Sequence, residues 1–241
     1  MKAIILCAGY ATRLYPLTLD KPKSLLPING NPILSYTLEK LEEINEIDSI
    51  YVVSNSKFYN HFLKWSKSVS TQKKLKIIDN GTSSNGDRLG GIGDMWFTIE
   101  REGINDDILV ILGDNLFDFR IKPMTDFFKT HNKTALGVYN MKDKQKLKTM
   151  GVVSVKDNKV ISFEDRPENP KSNLASTGLY IFSRDDIPKI KEYINSGKKR
   201  EGPGFLILYW LKDGIYAHLF NGKWYDIGTK EVYNKIKYNW N

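Results

Sequence analysis

The stretch Leu6-Cys7-Ala8-Gly9-Tyr10-Ala11-Thr12-Arg13-Leu14 decides how the chain is read. It closes the apolar run Ala3-Ile4-Ile5-Leu6 and ends in an arginine. Residues 2–7 read as a buried strand that passes into a tight turn. Small residues at 7, 8, 9 and 11 let backbone approach a ligand closely. A turn at a strand's end also exposes N–H groups that hold an anion. Arg13 adds a planar fork of donors that matches phosphate. A nucleoside triphosphate site and a plain turn with a surface arginine fit these residues equally.

Working outward, residues 8–30 form a loop stiffened by Pro16, Pro22 and Pro27, with Lys23 behind Pro22 as its better ligand candidate. Leu25, Leu26 and Ile28 predict that part of it packs down. Asn31-Pro32 reads as a cap and first residue of a helix carrying Ile33, Leu34, Leu38, Leu41 and Ile44 on one face. A strand over 50–53, a helix over 58–65 and a strand over 75–78 follow. That order predicts an open α/β sheet with parallel neighbours and right-handed crossovers.

Residues 79–93 break the pattern: five glycines and little to bury. So long a loop is usually functional or mobile, and Asp94 reads as the cap of the helix behind it. Ile108 to Leu112 is the clearest buried strand and ends in Gly113-Asp114-Asn115. A carboxylate just past the end of a central parallel strand lies where open α/β sheets bind ligands. It suits a magnesium ion that also touches substrate phosphates. A helix near 123–130 and a strand over 134–140 follow. Beyond residue 140 the character changes to hairpins: 151–155 with 159–163 around Asp157-Asn158, then a strand over 174–182 interrupted at Ser176-Thr177-Gly178. Helices near 184–194 and 205–211, a strand over 215–220 and a final helix capped by Thr229 complete the chain. Tyr209, Trp210, Tyr238 and Trp240 read as core.

Composition narrows the classes. The chain has 241 residues, 41% of them apolar, and a net charge of +8 from 36 Lys+Arg against 28 Asp+Glu. The lysines are scattered and no nucleic-acid motif is present; a small anionic substrate and a genome rich in lysine codons explain the surplus equally well, so charge alone decides little. Lys73-Lys74 and Lys198-Lys199-Arg200 read as solvated faces. No apolar run is long enough for a membrane span, the N-terminus lacks a signal-peptide pattern, and the one cysteine excludes an intrachain disulfide. These features favour the cytoplasm, with neither nucleic acid nor membrane as partner.

Taken in order, these stretches resemble the sugar-phosphate nucleotidyltransferase family, above all its glucose-1-phosphate thymidylyl- and uridylyltransferases. The resemblance rests on Leu6–Leu14, Lys21-Pro22-Lys23, Leu112-Gly113-Asp114-Asn115, Gly151-Val152-Val153, Phe163–Pro167, Pro170–Asn173, Thr177–Tyr180 and Trp224–Thr229. Each is weak alone; the ordered set is specific. It implies a Rossmann-like nucleotidyltransferase fold with a mixed, mostly parallel central sheet and a smaller sugar-binding lobe. Residues 1–241 would form one domain, with a nucleotide half over 1–140 and a sugar-phosphate half over 141–241.

The implied reaction passes a nucleoside monophosphate from a triphosphate to a sugar 1-phosphate and releases pyrophosphate, with Mg2+. UTP or dTTP is favoured, with CTP and GTP left open. Arg13 and Lys23 would act on the phosphates, and Asp114 and Asp226 would share the metal. Ala8, Gly9, Tyr10, Ala11 and Thr12 would hold the nucleotide, with Asn85, Gly90 and Gly91 toward the base. Asn115, Gly151, Glu164, Arg166, Thr177 and Gly178 would hold the sugar phosphate. Three departures stand out. Alanine replaces the family's glycine at 8 and 11, and arginine replaces its lysine at 166. Asn85 and Gly90-Gly91 occupy the region where the family carries a glutamine. The chain ends without the β-helix of bifunctional relatives, so no acyltransferase activity is expected. A cytidylyltransferase acting on a non-sugar phosphate and a silent nucleotide-binding subunit are the alternatives; a dinucleotide enzyme is not, because Gly-x-Gly-x-x-Gly is absent. Homo-oligomerisation is left open.

Overall fold

The computed structural model describes residues 1–240. Its first strand, β1 (Lys2–Leu6), enters a segment with two short turns of 3-10 helix, Thr12–Leu14 and Lys23–Leu25. A two-residue hairpin follows, β2 (Pro27–Ile28) with β3 (Asn31–Pro32). Then come α1 (Ile33–Glu42), β4 (Ser49–Ser54), α2 (Tyr59–Ser66), β5 (Lys74–Asp79) and α3 (Gly90–Glu102). After these run β6 (Ile108–Leu112), β7 (Asn115–Phe117), α4 (Lys122–His131) and β8 (Ala135–Asn140). The second half holds α5 (Lys144–Leu147), the hairpin β9 (Gly151–Lys156) and β10 (Lys159–Asp165), and the long strand β11 (Leu174–Phe182). It ends with α6 (Ile187–Asn195), α7 (Gly204–Tyr209), β12 (Tyr216–Phe220), β13 (Trp224–Asp226) and α8 (Lys230–Ile236).

Nine strands form one mixed sheet in the order β5-β4-β1-β6-β11-β8-β12-β10-β9. The pairs β5–β4, β4–β1 and β1–β6 are parallel, as the alternating strand–helix order requires, and β8–β12 is parallel too. The other four neighbour pairs are antiparallel, so the parallel share is half of the sheet. Antiparallel β11 lies beside β6 and carries the sheet from the first half of the chain into the second.

Both central strands are buried on both faces. Ala3 and Ile5 of β1, with Leu109 and Ile111 of β6, pack under α1, α2 and α4; Ile4 and Val110 pack under α3, α6 and α7. Alternate residues of a strand point to opposite faces, so a continuous apolar run serves two helical layers. A smaller cluster joins α8 to Leu14, Leu26, Ile28 and Ile33, which packs the proline-stiffened loop down as expected. Asp157 and Asn158 both adopt positive φ, the two-residue turn that suits a twisted hairpin. Thr229 caps α8 by accepting from the Val232 N–H.

The structure corrects several expectations. Asn31 caps nothing: it lies in the small hairpin, and α1 starts behind Pro32 without a side-chain cap. The loop after β5 ends at Leu89, because α3 begins at Gly90 and takes in three of the five glycines. Asp94 is therefore inside α3 and buried, not at its cap. Trp210 and Trp240 are buried, whereas Tyr209 and Tyr238 are exposed. Lys73 is no solvated side chain; its ammonium donates to the carbonyls of Ile44 (2.8 Å) and Ile47 (2.7 Å). No helix among the described residues is long and apolar enough to cross a membrane.

Candidate active site

The turn after β1 leaves the sheet at its carboxyl edge. Ala11 there adopts φ 48° and ψ 42°, a left-handed conformation that alanine takes at a cost. Its carbonyl accepts from the Leu14 N–H and the Thr18 hydroxyl, which fixes the turn. Ala8, Gly9, Tyr10, Ala11, Thr12 and Arg13 line a cavity of about 370 Å³ together with Lys23, Asn85, Arg88, Gly90, Gly91, Asp94 and Asp114. The structure thus brings together every residue expected at the nucleotide. Among the described residues no hydrogen bond or ion pair holds Arg13, which is exposed.

A second cavity of about 220 Å³ adjoins the first, and Leu112, Asp114 and Glu201 line both. Its wall takes in Asn115, Gly151, Arg166, Thr177, Gly178 and Asp226, again as expected. Glu164 is not among its lining residues, whereas Phe163 and Asp165 are. β10 alternates its side chains, so one step in register exchanges the cavity face for the other. Asp165 is therefore the acidic residue that β10 contributes to this cavity. Thr177 is present, but its hydroxyl donates to the Gly137 carbonyl at 3.0 Å and is already used. Ser176 and Tyr180 pair their hydroxyls at 2.9 Å inside the same cavity.

Asp114 marks the junction. Lys23 Nζ donates to Asp114 Oδ2 at 2.5 Å. Asn115 Nδ2 donates to Asp114 Oδ1 (3.2 Å) and to the Leu112 carbonyl (3.3 Å), while Asn115 Oδ1 accepts from the Trp224 indole N–H at 2.8 Å. The Asn115 amide thereby orients Asp114. Sequence patterning missed the two short strands that complete the site. β7 and β13 pair antiparallel, with Asp226 opposite Asn115. Three-residue strands are too short to show a period, so only the apolar Leu116-Phe117 against Trp224-Tyr225 hinted at them.

Burial, and then the neighbouring charge of Asp114, push the Asp226 carboxyl up to about 6; Lys23, Arg13 and Arg166 offset part of that rise. A buried carboxyl whose proton affinity rises beside a second carboxylate marks a site short of positive charge. Their donor set is all oxygen, which suits a hard divalent cation that completes its shell with water and phosphate oxygens. Among the described residues no cluster of three His, Cys, Asp or Glu forms a denser metal site.

The glycine-rich stretch is ordered by its own polar groups. The Asp87 carboxylate accepts from the N–H and hydroxyl of both Ser83 and Ser84, and these bonds hold it down at about 2. Arg88 donates to the Asn85 side-chain oxygen at 3.1 Å. The first N–H groups of α3 do not await an anion. Those of Gly91 and Ile92 donate to the Glu201 and Arg200 carbonyls, each at 2.9 Å. Gly90 and Gly91 permit this approach, since a Cβ at either would meet a 200–201 carbonyl oxygen at 2.5 and 2.9 Å. The segment between α6 and α7 thus seals the end of α3 and forms the common wall of both cavities.

Comparisons with known proteins bear on the family and the fold. The family described as Nucleotidyl transferase matches residues 2–240. A bifunctional protein GlmU from Methanocaldococcus jannaschii is 32% identical over 95% of this chain and 51% of its own length. A mannose-1-phosphate guanylyltransferase from Arabidopsis thaliana is 26% identical over 97% of this chain and 63% of its own. A crystal structure of UDP-glucose pyrophosphorylase complexed with UDP-glucose shares the fold, with a TM-score of 0.80 at 22% identity over 98% of this chain and 96% of that one. The chain spans about half to two-thirds of the length of the curated relatives it matches.

Proposed function

The chain belongs to the nucleotidyl transferase family, and on that premise we propose that it transfers a nucleoside monophosphate from a triphosphate to a sugar 1-phosphate. The observation that carries this reading is the junction itself. Two cavities share Asp114, with Lys23 and Arg13 on one side and Arg166 and Asp226 on the other. In the reaction a phosphate oxygen of the sugar 1-phosphate attacks the α-phosphorus. The bond from that phosphorus to the bridging oxygen breaks, and its electrons leave with pyrophosphate. No proton needs to move, so positioning and charge neutralisation dominate.

Arg13, whose side chain makes no hydrogen bond or ion pair among the described residues, is free to follow the charge that develops on the triphosphate. Lys23 reaches the junction from the nucleotide side. Arg166 faces the second cavity with a side chain suited to the acceptor's phosphate. Asp165 accepts hydrogen bonds from the sugar hydroxyls. Asp114 and Asp226 would hold a divalent cation, here magnesium, which when bound neutralises phosphate charge and polarises the α-phosphoryl group. The test is pyrophosphate release from a matrix of triphosphates and phosphorylated acceptors, with amino-alcohol phosphates included. Turnover with at least one sugar 1-phosphate supports the reading; folded protein without turnover on any pair overturns it.

A further inference from the structure

The reaction above leaves the buried carboxyl of Asp94 without a task. Asp94 projects from α3, is buried, and lines the nucleotide cavity. Its Oδ1 accepts from Asn80 Nδ2 at 2.6 Å. Asn80 has no freedom to turn over, because its own Oδ1 accepts from the Thr82 N–H (2.9 Å) and the Thr82 hydroxyl (2.8 Å). Asn80 therefore presents its amide nitrogen, and Asp94 is held as an acceptor. Oδ2 of Asp94 has no partner among the described residues. A carboxylate oxygen left unpaired at a binding cavity is open to a donor from the ligand.

We infer that Asp94 reads the nucleobase and selects a triphosphate whose base carries an exocyclic amino group over UTP and dTTP. The inference rests on the nucleotidyltransferase reading and narrows its donor substrate. An ionised carboxylate only accepts. Uracil and thymine offer one N–H between two carbonyl oxygens, which repel a carboxylate. Cytosine, adenine and guanine each offer an N–H2, and guanine sets N1–H beside it. Arg88, anchored on Asn85 at the same cavity, supplies donors for the ring nitrogens and carbonyl oxygens of such a base. Acceptor and donor groups thus sit together as an amino-bearing base requires. The selection opposes the UTP or dTTP preference that the family resemblance implies.

The test is a set of dissociation constants for ATP, GTP, CTP, UTP and dTTP on the full chain with Mg2+ and no acceptor substrate. At least one amino-bearing triphosphate is expected to bind about ten- to a hundredfold more tightly than UTP and dTTP. Asp94→Asn keeps the Asn80 bond and turns a donor toward the base, so it should close most of that gap and improve UTP. UTP or dTTP binding as tightly as the best amino-bearing triphosphate overturns the inference. So does an Asp94→Asn variant that weakens all five by one factor, the mark of a merely structural residue. Should that variant fail to fold, the wild-type ranking decides alone. Failure of all five to bind folded protein overturns the nucleotidyltransferase reading itself, a separate outcome.

Discussion

Asp226 sits opposite Asn115 across the β7–β13 ladder, and the Ile227 N–H donates to the Asp114 carbonyl at 3.0 Å. Backbone pairing thereby brings two carboxylates from distant parts of the sequence to one junction. The arrangement keeps an acid with a raised pKa beside a second acid, a cost that Lys23, Arg13 and Arg166 offset in part and that a bound cation would relieve further.

Asp226→Asn is expected to lower turnover by about a hundred- to ten-thousandfold, because half of the proposed metal ligand pair is lost. The same change should stabilise the substrate-free protein. The Asp226 carboxyl is raised from 3.8 to about 6, so the folded state disfavours its charge. At pH 8 the variant gains on the order of 1–3 kcal/mol in urea unfolding. A lower urea midpoint than wild type at pH 8 would contradict the desolvation account.

Arg13→Ala separates function from stability in the other direction. No side-chain hydrogen bond or ion pair among the described residues depends on Arg13, so unfolding should shift by less than about 0.5 kcal/mol. Turnover should fall about a hundred- to a thousandfold if the guanidinium acts on transition-state charge. Wild-type turnover in the variant removes Arg13 from the mechanism.

The physics of each region explains what could be read before the structure. β1 and β6 are continuous apolar runs, and their ends carry the small-residue turn and Asp114; burial on both faces writes itself into composition. The junction's other half could not be read that way, because β7 and β13 span three residues each and their pairing is non-local. The helix start at Gly90 was masked by glycines that exist for the backbone at 200–201, a contact between remote segments. Glu164 against Asp165 is a question of register, which periodicity fixes only when both faces of a strand differ in polarity.

Lys73→Ala tests a different misreading. Composition marks Lys73 as a surface charge, yet its ammonium satisfies two carbonyls behind α1. Its loss should destabilise the fold by about 1–3 kcal/mol, the worth of charge-assisted hydrogen bonds, with turnover unchanged. Thermal unfolding and an activity assay on one preparation decide it; an unchanged melting temperature would return Lys73 to the solvent.

Ala11→Gly should leave turnover intact and raise stability slightly. The left-handed backbone at Ala11 costs about 1–2 kcal/mol for an alanine, and glycine gives back about 0.5–1 kcal/mol through the entropy of its unfolded chain. A net gain of about 0–1.5 kcal/mol is expected in urea unfolding. A loss of stability would mean that the Ala11 methyl contributes packing that outweighs the strain.

Asp94 makes the fold's stability depend on pH. Burial raises its carboxyl from 3.8 to about 6, and the bond from Asn80 opposes that rise without cancelling it. The folded value lies above the unfolded one. Below pH 3.8 the acid is neutral in both states and costs nothing. As pH rises through 6 the unfolded chain gains the easier ionisation, and the folded state loses on the order of 2–3 kcal/mol relative to a neutral side chain. Asp94→Asn has nearly the same shape, keeps an acceptor for Asn80 and never ionises. The stability difference between variant and wild type should therefore be small at pH 4, grow between pH 4 and 6, and level off above it with the variant more stable. Urea midpoints at pH 4, 5, 6 and 8 without nucleotide measure this directly. Because Asp226 titrates in both proteins, its contribution cancels in the difference. A difference that stays flat across the series would show that Asp94 is solvated from the cavity in the free protein and carries its charge there at no cost.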